Sequence, residues 1–282
     1  MNITELNIYP LKSGRRIALQ TAAIGKDGLA GDRRFMVVKP DGAFITQREL
    51  ALLAQIDASV ASENQLILQM NDQSLVAGFH PANRMVVEIW GSAVDAAVAA
   101  DAANATLSVW LGRPVKLVQM DARAHRSTSE DWAAPDSPVA FADGFQVLIT
   151  TTASLADLNQ TMRDKGLDPV GMDRFRSNIV IDCDAAWDED TWQTVQIGDV
   201  VLDLVKPCAR CIMTTQDQIT GDRIGGDPIK GLAAKRMSAD RRVPGPLFGW
   251  NAVPRHSGTV SVGDRVTVLL HRSDRWPMKT RP

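Results

Sequence analysis

Val195-Gln-Ile-Gly-Asp-Val-Val-Leu-Asp-Leu204 sets Gly198-Asp199 between two runs of β-forming residues, and Val260-Ser-Val-Gly-Asp-Arg-Val-Thr-Val-Leu269 repeats the arrangement around Gly263-Asp264. A two-residue, glycine-containing connection between alternating apolar and polar positions is a hairpin signal, so both stretches are expected to be hairpins. Further short runs of the same kind occur outward from them. They are Ile3 to Tyr9, Ile17 to Ile24, Phe35 to Val38, Leu66 to Met70, Met85 to Trp90, Val115 to Met120, Gln146 to Thr150 and Asn178 to Asp182, separated by Gly, Asp and Pro. Helical periodicity is confined to two places. One is a segment capped by Asp101 and running to Leu111, with Leu107, Trp110 and Leu111 on one face; the other lies near Ser154 to Met162 and is ended by Gly166 and Pro169. Many short strands with tight turns and few helices predict a β-rich α+β chain built on compact barrels. The segment from Asp121 to Val139, rich in Ser, Asp, Pro and Arg, reads as a linker, which divides the chain into residues 1–121 and 122–282.

Composition narrows the function. With 282 residues, 45% hydrophobic and 23% charged, the chain can bury one large or two ordinary cores. Its 31 basic and 33 acidic residues leave a net charge of −2, so no global positive field is available for nucleic acid or an anionic membrane. No long apolar run or secretory signal pattern is present, and three cysteines are an odd number for a disulfide framework. A reducing cytoplasm is therefore expected.

Cys208-Ala-Arg-Cys211 is the chemically richest motif. Beta-branched Val205, Ile212, Thr214 and Thr215 flank it, which disfavours the helix start that a thioredoxin-like pair requires. A closed zinc site needs four ligands, yet the only other cysteine is Cys183, and His80, His125, His256 and His271 are scattered. There remain a pair of small buried thiols, or one thiolate binding a thiophilic metal whose other ligands come from a cofactor.

Six segments, taken together and in order, resemble the MOSC-domain proteins preceded by a MOSC N-terminal β-barrel domain, the family of the mitochondrial amidoxime-reducing component and the bacterial N-hydroxylated-base reductases. They are Tyr9-Pro-Leu-Lys-Ser13, Gly31-Asp-Arg-Arg-Phe-Met36, Ser154-Leu-Ala-Asp-Leu-Asn159, Phe175-Arg-Ser-Asn-Ile-Val180, Cys208-Ala-Arg-Cys-Ile-Met-Thr-Thr215 and Pro246-Leu-Phe-Gly-Trp-Asn251. The resemblance implies a MOSC N-terminal barrel over 1–121 and a MOSC barrel with a few peripheral helices over 122–282. It also implies a molybdenum cofactor, molybdenum held by a molybdopterin dithiolene, with no need for pyridoxal phosphate. Cys211 would be the protein's thiolate ligand and the catalytic residue. Arg210 would favour that thiolate, and Cys208 would be a small buried neighbour. Lys12, Ser13, Arg33, Arg176 and Asn178 would hold the cofactor's phosphate, and Asp143, Gly144 and Phe145 would meet the cofactor from a loop. A mixed set of ammonium and guanidinium groups suits a phosphate, since Arg supplies a planar fork and Lys a point charge.

Two positions depart from the family pattern: Gly14 stands where a cysteine is usual, and Gln216-Asp217-Gln218 replaces an acidic-Pro turn. Neither binds metal in the family. The implied activity is reduction of small N-hydroxylated compounds (hydroxylamines, amidoximes, N-hydroxylated bases) as a detoxification. The alternative is a molybdenum-cofactor or sulfur carrier without turnover. The chain holds neither the four spaced cysteines of a fused ferredoxin nor a Gly-rich nucleotide fingerprint. A separate ferredoxin- or cytochrome-like donor with its own flavin reductase is therefore expected, serving a monomer that engages no nucleic acid and no membrane.

Overall fold

A computed structural model describes residues 1–279, so the last three residues of the 122–282 segment lie outside the described residues. The chain opens with β1 (Ile3–Ile8), β2 (Ile17–Leu19), β3 (Thr21–Gly25), β4 (Gly28–Leu29) and β5 (Phe35–Val38). A meander follows: β6 (Asp57–Ser62), β7 (Gln65–Met70), β8 (Gln73–Ile89) and β9 (Ser92–Ala99) lead into helix α1 (Asp101–Trp110) and β10 (Lys116–Gln119). After residue 121 come β11 (Val147–Thr151), α2 (Thr152–Asp164), β12 (Ile179–Ile181), β13 (Trp192–Ile197) and β14 (Val200–Ala209). The described chain closes with α3 (Pro228–Lys235), β15 (Leu247–His256), β16 (Gly258–Ser261) and β17 (Val266–His271). Seventeen strands against three α-helices among the described residues make the protein β-rich, as the turn pattern predicts.

The strands form three sheets. Six run in the order β5-β10-β9-β8-β7-β6, eight in the order β17-β13-β14-β15-β11-β12-β1-β2, and three in the order β16-β3-β4. In the six-stranded sheet, β8 bends between Phe79 and Arg84, where its register against β9 shifts, so one long strand serves two neighbours and curls the sheet. One face of this sheet packs on α1 through Leu66, Leu68, Phe79 and Leu107, and the other buries Met36, Val87, Val118 and Phe141. The eight-stranded sheet closes over Trp192, Trp250, Ile149, Ile179 and Leu202, while α2 and α3 cover Phe175 and Phe248.

Of the two expected hairpins, only the first forms. β13 and β14 pair directly, Ile197 opposite Val200, across Gly198 at φ 55°. β16 and β17 do not pair with each other. β16 joins β3 and β17 joins β13, so Gly263-Asp264 is a corner between sheets. The corner is held from outside, because Gly263 N donates to Ile3 O at 2.8 Å and Ile3 N to Asp264 O at 2.9 Å. A local pattern specifies a turn but not which edge is nearest when the strand leaves it.

Two further expectations are corrected. Asp101 does not cap α1: the cap is Ala100, whose carbonyl accepts from Ala103 N and Asn104 N, and Asp101 is the first helical residue, where its carboxylate complements the dipole. Nor is the stretch from Asp121 to Val139 a free tether. Buried Arg126 donates to Ala140 O at 2.8 Å and Ala142 O at 2.7 Å, and Asp121 pairs with Arg84 at 2.6 Å. The sheets also interleave the chain, since β1 and β2 belong to the same sheet as β11 to β15. A division at 121/122 is thus one of sequence order, and β1 carries the first site residues into the later sheet.

A buried acid beside α2 gives the fold a pH signature. Glu189 Oε2 lies 2.8 Å from Ser154 Oγ and 3.0 Å from Thr151 Oγ1, while its Oε1 is buried without a partner. Burial, reinforced by the neighbouring Asp190 charge and opposed by the Ser154 bond, pushes its pKa from 4.5 up to about 7. The folded chain therefore keeps a proton that the unfolded chain releases. Stability is greatest below the unfolded value and is lost as pH rises through about 7. Urea unfolding across that window should show stability falling as pH rises, and Glu189→Gln should flatten the slope.

Candidate functional site

The site is assembled where the end of β1 meets the start of β12 and the end of β14. After β1, Tyr9 N donates to Asp32 Oδ1 at 2.8 Å, and Lys12 N donates to Phe35 O at 2.7 Å. These bonds lay residues 9–13 against 32–35 and bring Lys12, Ser13 and Arg33 together. Three site residues, Ser13 (φ 67°), Arg33 (φ 46°) and Arg176 (φ 55°), occupy the left-handed region that non-glycine residues avoid. Each such conformation costs about 1–3 kcal/mol, so the surrounding bonds must impose it.

All ten residues expected from the sequence line one cavity of about 320 Å³. Lys12, Ser13 and Arg33 come from the first segment and Asp143, Gly144 and Phe145 from the 141–146 loop. Arg176 and Asn178 precede β12, and Arg210 and Cys211 follow β14. The convergence of Lys12, Arg33 and Arg176 expected of an anion site is thus observed. A volume of this size is typical of a small-molecule site. Its lining carries four further groups that sequence reasoning missed: Arg174, Lys206, Arg242 and Thr46. Arg174 sits two residues before Arg176, and that spacing was the one signal available. Lys206 and Arg242 had none, since their role depends on the closure of β14 against the 242–244 loop.

Electrostatics set each group's state. Lys12 is buried and its Nζ reaches Asp143 Oδ1 at 2.5 Å and Phe141 O at 2.9 Å. Burial pulls the Lys12 pKa down, the Asp143 carboxylate pulls it up, and Arg33 and Arg126 add like-charge repulsion, with a net lowering. Asp143 is open to the cavity yet set among protein atoms. Desolvation works against its charge, but Lys12, then Arg33 and Arg48, hold its carboxyl well below the usual carboxylate range. Arg33 donates from Nη1 to Asp32 Oδ2 at 2.5 Å and to Asn178 Oδ1 at 3.1 Å. Arg176 donates to Gly14 O at 2.8 Å and Gln218 Oε1 at 3.0 Å, and burial followed by repulsion from Arg33 pushes its pKa down to about 10. Both guanidinium groups lie against the Tyr9 ring, at 4.3 and 4.1 Å from its centre. Among the described residues, seven cationic side chains and a single carboxylate line the cavity.

The structure reassigns three side chains. Arg210 does not reach Cys211; its Nη1 donates to Cys208 Sγ at 2.8 Å and its Nη2 to Phe175 O at 2.7 Å. Cys208 is not a fully buried spectator. It is half-buried and shares the cavity with Cys211, which is exposed at the head of the 3-10 turn Ile212–Thr215. Asn178 is engaged through both amide atoms: Oδ1 accepts from Leu148 N at 3.1 Å and from Arg33, and Nδ2 donates one of its two N–H groups to Asn7 O at 3.1 Å. It positions Arg33 and the strands while lining the cavity.

The residues fit a thiolate-anchored, phosphate-bearing cofactor. Arg174 supplies an unspent donor, because its Nη2 bonds Ile224 O at 2.9 Å while its Nη1 is buried without a partner. Gly144 has open space where a side chain would begin, so backbone faces the cavity there. Among the described residues no group of three His, Cys, Asp or Glu side chains could hold a metal. A metal at Cys211 would need most of its ligands from a cofactor, and a protein-only zinc site would not.

Two family models match the chain. Residues 136–267 match the MOSC domain, and residues 1–114 match the MOSC N-terminal beta barrel domain. The mitochondrial amidoxime-reducing component 1 of Danio rerio is 30% identical over 283 residues, covering 95% of this chain and 85% of that protein. The mitochondrial amidoxime reducing component 2 of Bos taurus is 31% identical over 284 residues, covering 95% of this chain and 83% of that protein. Among solved structures, the YUAD protein from Bacillus subtilis superposes over 94% of this chain and 93% of its own, with a TM-score of 0.40 and 9% identity.

The cation surplus predicts that inorganic phosphate stabilises the protein. In thermal melts the phosphate-dependent rise in Tm should shrink in Arg176→Gln relative to wild type. An undiminished rise would place the anion elsewhere.

Proposed function

This chain belongs to the MOSC-domain family, and on that premise we propose that it is a molybdenum-cofactor-dependent reductase of N-hydroxylated compounds. The observation that carries the reading is the joint presence of an exposed thiol, Cys211, and a buried cationic cluster in one cavity. The homologues' designation as amidoxime-reducing components supports it.

In this reading Cys211 Sγ holds the metal, and Lys12, Arg33, Arg174 and Arg176 hold the phosphate. When bound, the cofactor supplies two-electron reducing chemistry at a thiophilic metal. The overall change consumes two electrons and two protons, converting N–OH to N–H and releasing water. The chain's own residues bind and orient. Asp143 remains ionised at neutral pH because its pKa is depressed, so it is a poor proton donor there. Its task is to fix Lys12 and, through the Phe141 carbonyl beside it, the 141–143 loop. Arg210 holds the end of β14 to Phe175, which sets where Cys211 emerges. Protons come from solvent through the open mouth of the cavity.

Electrons come from a separate ferredoxin- or cytochrome-like donor with its own flavin reductase, docking transiently. No helix among the described residues is long and apolar enough to cross a membrane. We place the protein in the cytoplasm as a monomer, with residues 1–121 as the N-terminal barrel and 122–282 as the cofactor-binding domain.

Protein produced with molybdate should contain molybdenum and pterin, and should oxidise reduced viologen when benzamidoxime is added. NADH alone should give no turnover. Bound pterin without turnover on any N-hydroxylated substrate would assign the carrier role instead.

Cys211→Ala should abolish viologen oxidation while leaving the circular dichroism spectrum intact, since it removes the one protein thiolate proposed to hold the metal. Cys208→Ala should be far milder, since it removes only a sulfur acceptor from Arg210, which keeps its bond to Phe175 O. Equal loss in both variants, with zinc bound, would overturn the molybdenum assignment.

A further inference from the structure

The cavity's positive charges are not all accounted for by the anions around them. Arg33 is paired with Asp32 at 2.5 Å, Lys12 with Asp143 at 2.5 Å, and Arg242 with Asp240 at 2.6 Å. Arg174 and Arg176 flank Phe175 and face the proposed phosphate, Arg174 with Nη1 unspent although its Nη2 lies 3.8 Å from Asp217 Oδ2, and Arg176 with only neutral acceptors. Arg210 is engaged by Cys208 Sγ and Phe175 O. One cation is left over. Lys206 is half-buried and lines the cavity, and among the described residues its ammonium meets no carboxylate and no hydrogen-bond acceptor. It is held instead over two aromatic faces, 5.1 Å from the centre of Trp132 and 5.8 Å from that of Phe145.

Aromatic faces attract an ammonium without consuming its N–H donors, so Lys206 keeps three donors for a ligand. Its position is set by β14. Lys206 and Cys208 are two residues apart in this strand, so their side chains share a face, roughly 7 Å apart along it. Cys211 follows the end of β14 and lines the same cavity, while the Lys206 ammonium is held at Phe145 and Trp132. Arg242 lies 5.3 Å from the centre of Trp132 but is paired with Asp240, which leaves Lys206 as the uncompensated charge beside that ring. A cationic substrate would be repelled there, and a neutral one would leave the Lys206 charge uncompensated.

We infer that Lys206 is the anion-recognition point of the substrate subsite, and that the preferred substrates are N-hydroxylated compounds bearing a carboxylate. The inference rests on the reductase reading above and names the substrate class of that site. Trp132 and Phe145 hold the ammonium in place, and Phe145, which lines the cavity, offers a flat apolar wall to the body of the substrate.

The test compares benzamidoxime with 4-carboxybenzamidoxime, and their reduction products benzamidine and 4-carboxybenzamidine. For molybdenum-loaded protein, kcat/KM is measured for both amidoximes with reduced viologen, and binding of both amidines is measured by calorimetry. The wild type should favour the carboxylated member roughly tenfold in each readout, the scale of one charge-assisted hydrogen bond. Lys206→Gln should erase the preference, Lys206→Arg should retain it and Lys206→Glu should reverse it. A preference that survives in Lys206→Gln overturns the inference. So does an equal loss for both substrates accompanied by reduced molybdenum or pterin content, which would assign Lys206 to the cofactor. If the wild type turns over neither amidoxime, the reductase reading fails, and calorimetry still decides the anion site. Equal affinity for the two amidines, or binding of neither, would then overturn it.

Discussion

One side-chain amide ties the two halves of the chain to the site. Asn178, almost fully buried, accepts from the backbone of Leu148 in β11 and from Arg33, and donates to Asn7 O in β1, while its own N–H bonds Leu148 O. A buried amide bonded at both its oxygen and its nitrogen rigidifies what it touches, and a partner removed from it costs about 1–3 kcal/mol. The first strand is thereby locked into the sheet formed mostly by the last third of the chain. Lys12 and Arg33 follow from that placement, because the segments carrying them are continuous with β1 or bonded to its end.

Assembling several cations in a partly buried cavity is unfavourable unless anions compensate them, and the fold answers locally where it can. Asp32 and Asp143 each take one cation at short range, and the Tyr9 ring lies against two guanidinium groups. Arg242 is paired with Asp240 and Arg210 is engaged by Cys208 and Phe175, which leaves Arg174, Arg176 and Lys206 with capacity for a ligand. The same region holds Ser13, Arg33 and Arg176 in left-handed backbone conformations. Strain and unspent charge coincide here because both are carried by neighbouring hydrogen bonds, and both prepare the cavity for a particular occupant.

The thiols show how a short motif divides its labour. Cys208, next to last in β14, faces the guanidinium of Arg210, whose other arm grips Phe175 at the base of the α2–α3 layer. Cys211, three residues on, is released from the sheet at the head of a 3-10 turn and is exposed. The arginine of the motif thus acts as a brace for the strand end, and among the described residues the thiol of the second cysteine has no hydrogen-bond partner.

Much of this was legible in the sequence. Alternation and turn residues determined a β-rich chain, the hairpin at Gly198-Asp199 and the two principal helices, because these depend on neighbours within a few residues. The ordered motifs from Tyr9 to Asn251 nominated seven of the ten residues that line one cavity, and the resemblance they carry supplied the loop residues Asp143, Gly144 and Phe145. What tertiary structure alone decided involves partners far apart in the chain. Gly263-Asp264 is a sheet corner and not a hairpin, because Ile3 and β3 stand beside it. Arg210 serves Cys208 and Phe175 in place of Cys211, since only the packed strand end sets its reach. Lys206 belongs to the site because β14 turns its face toward Trp132, in a stretch that composition alone marked as a linker, and toward Phe145 in the loop beyond it. Local patterns encode periodicity and turn chemistry; which edges meet, and which charges are left unpaired when they do, is settled only when the whole chain closes.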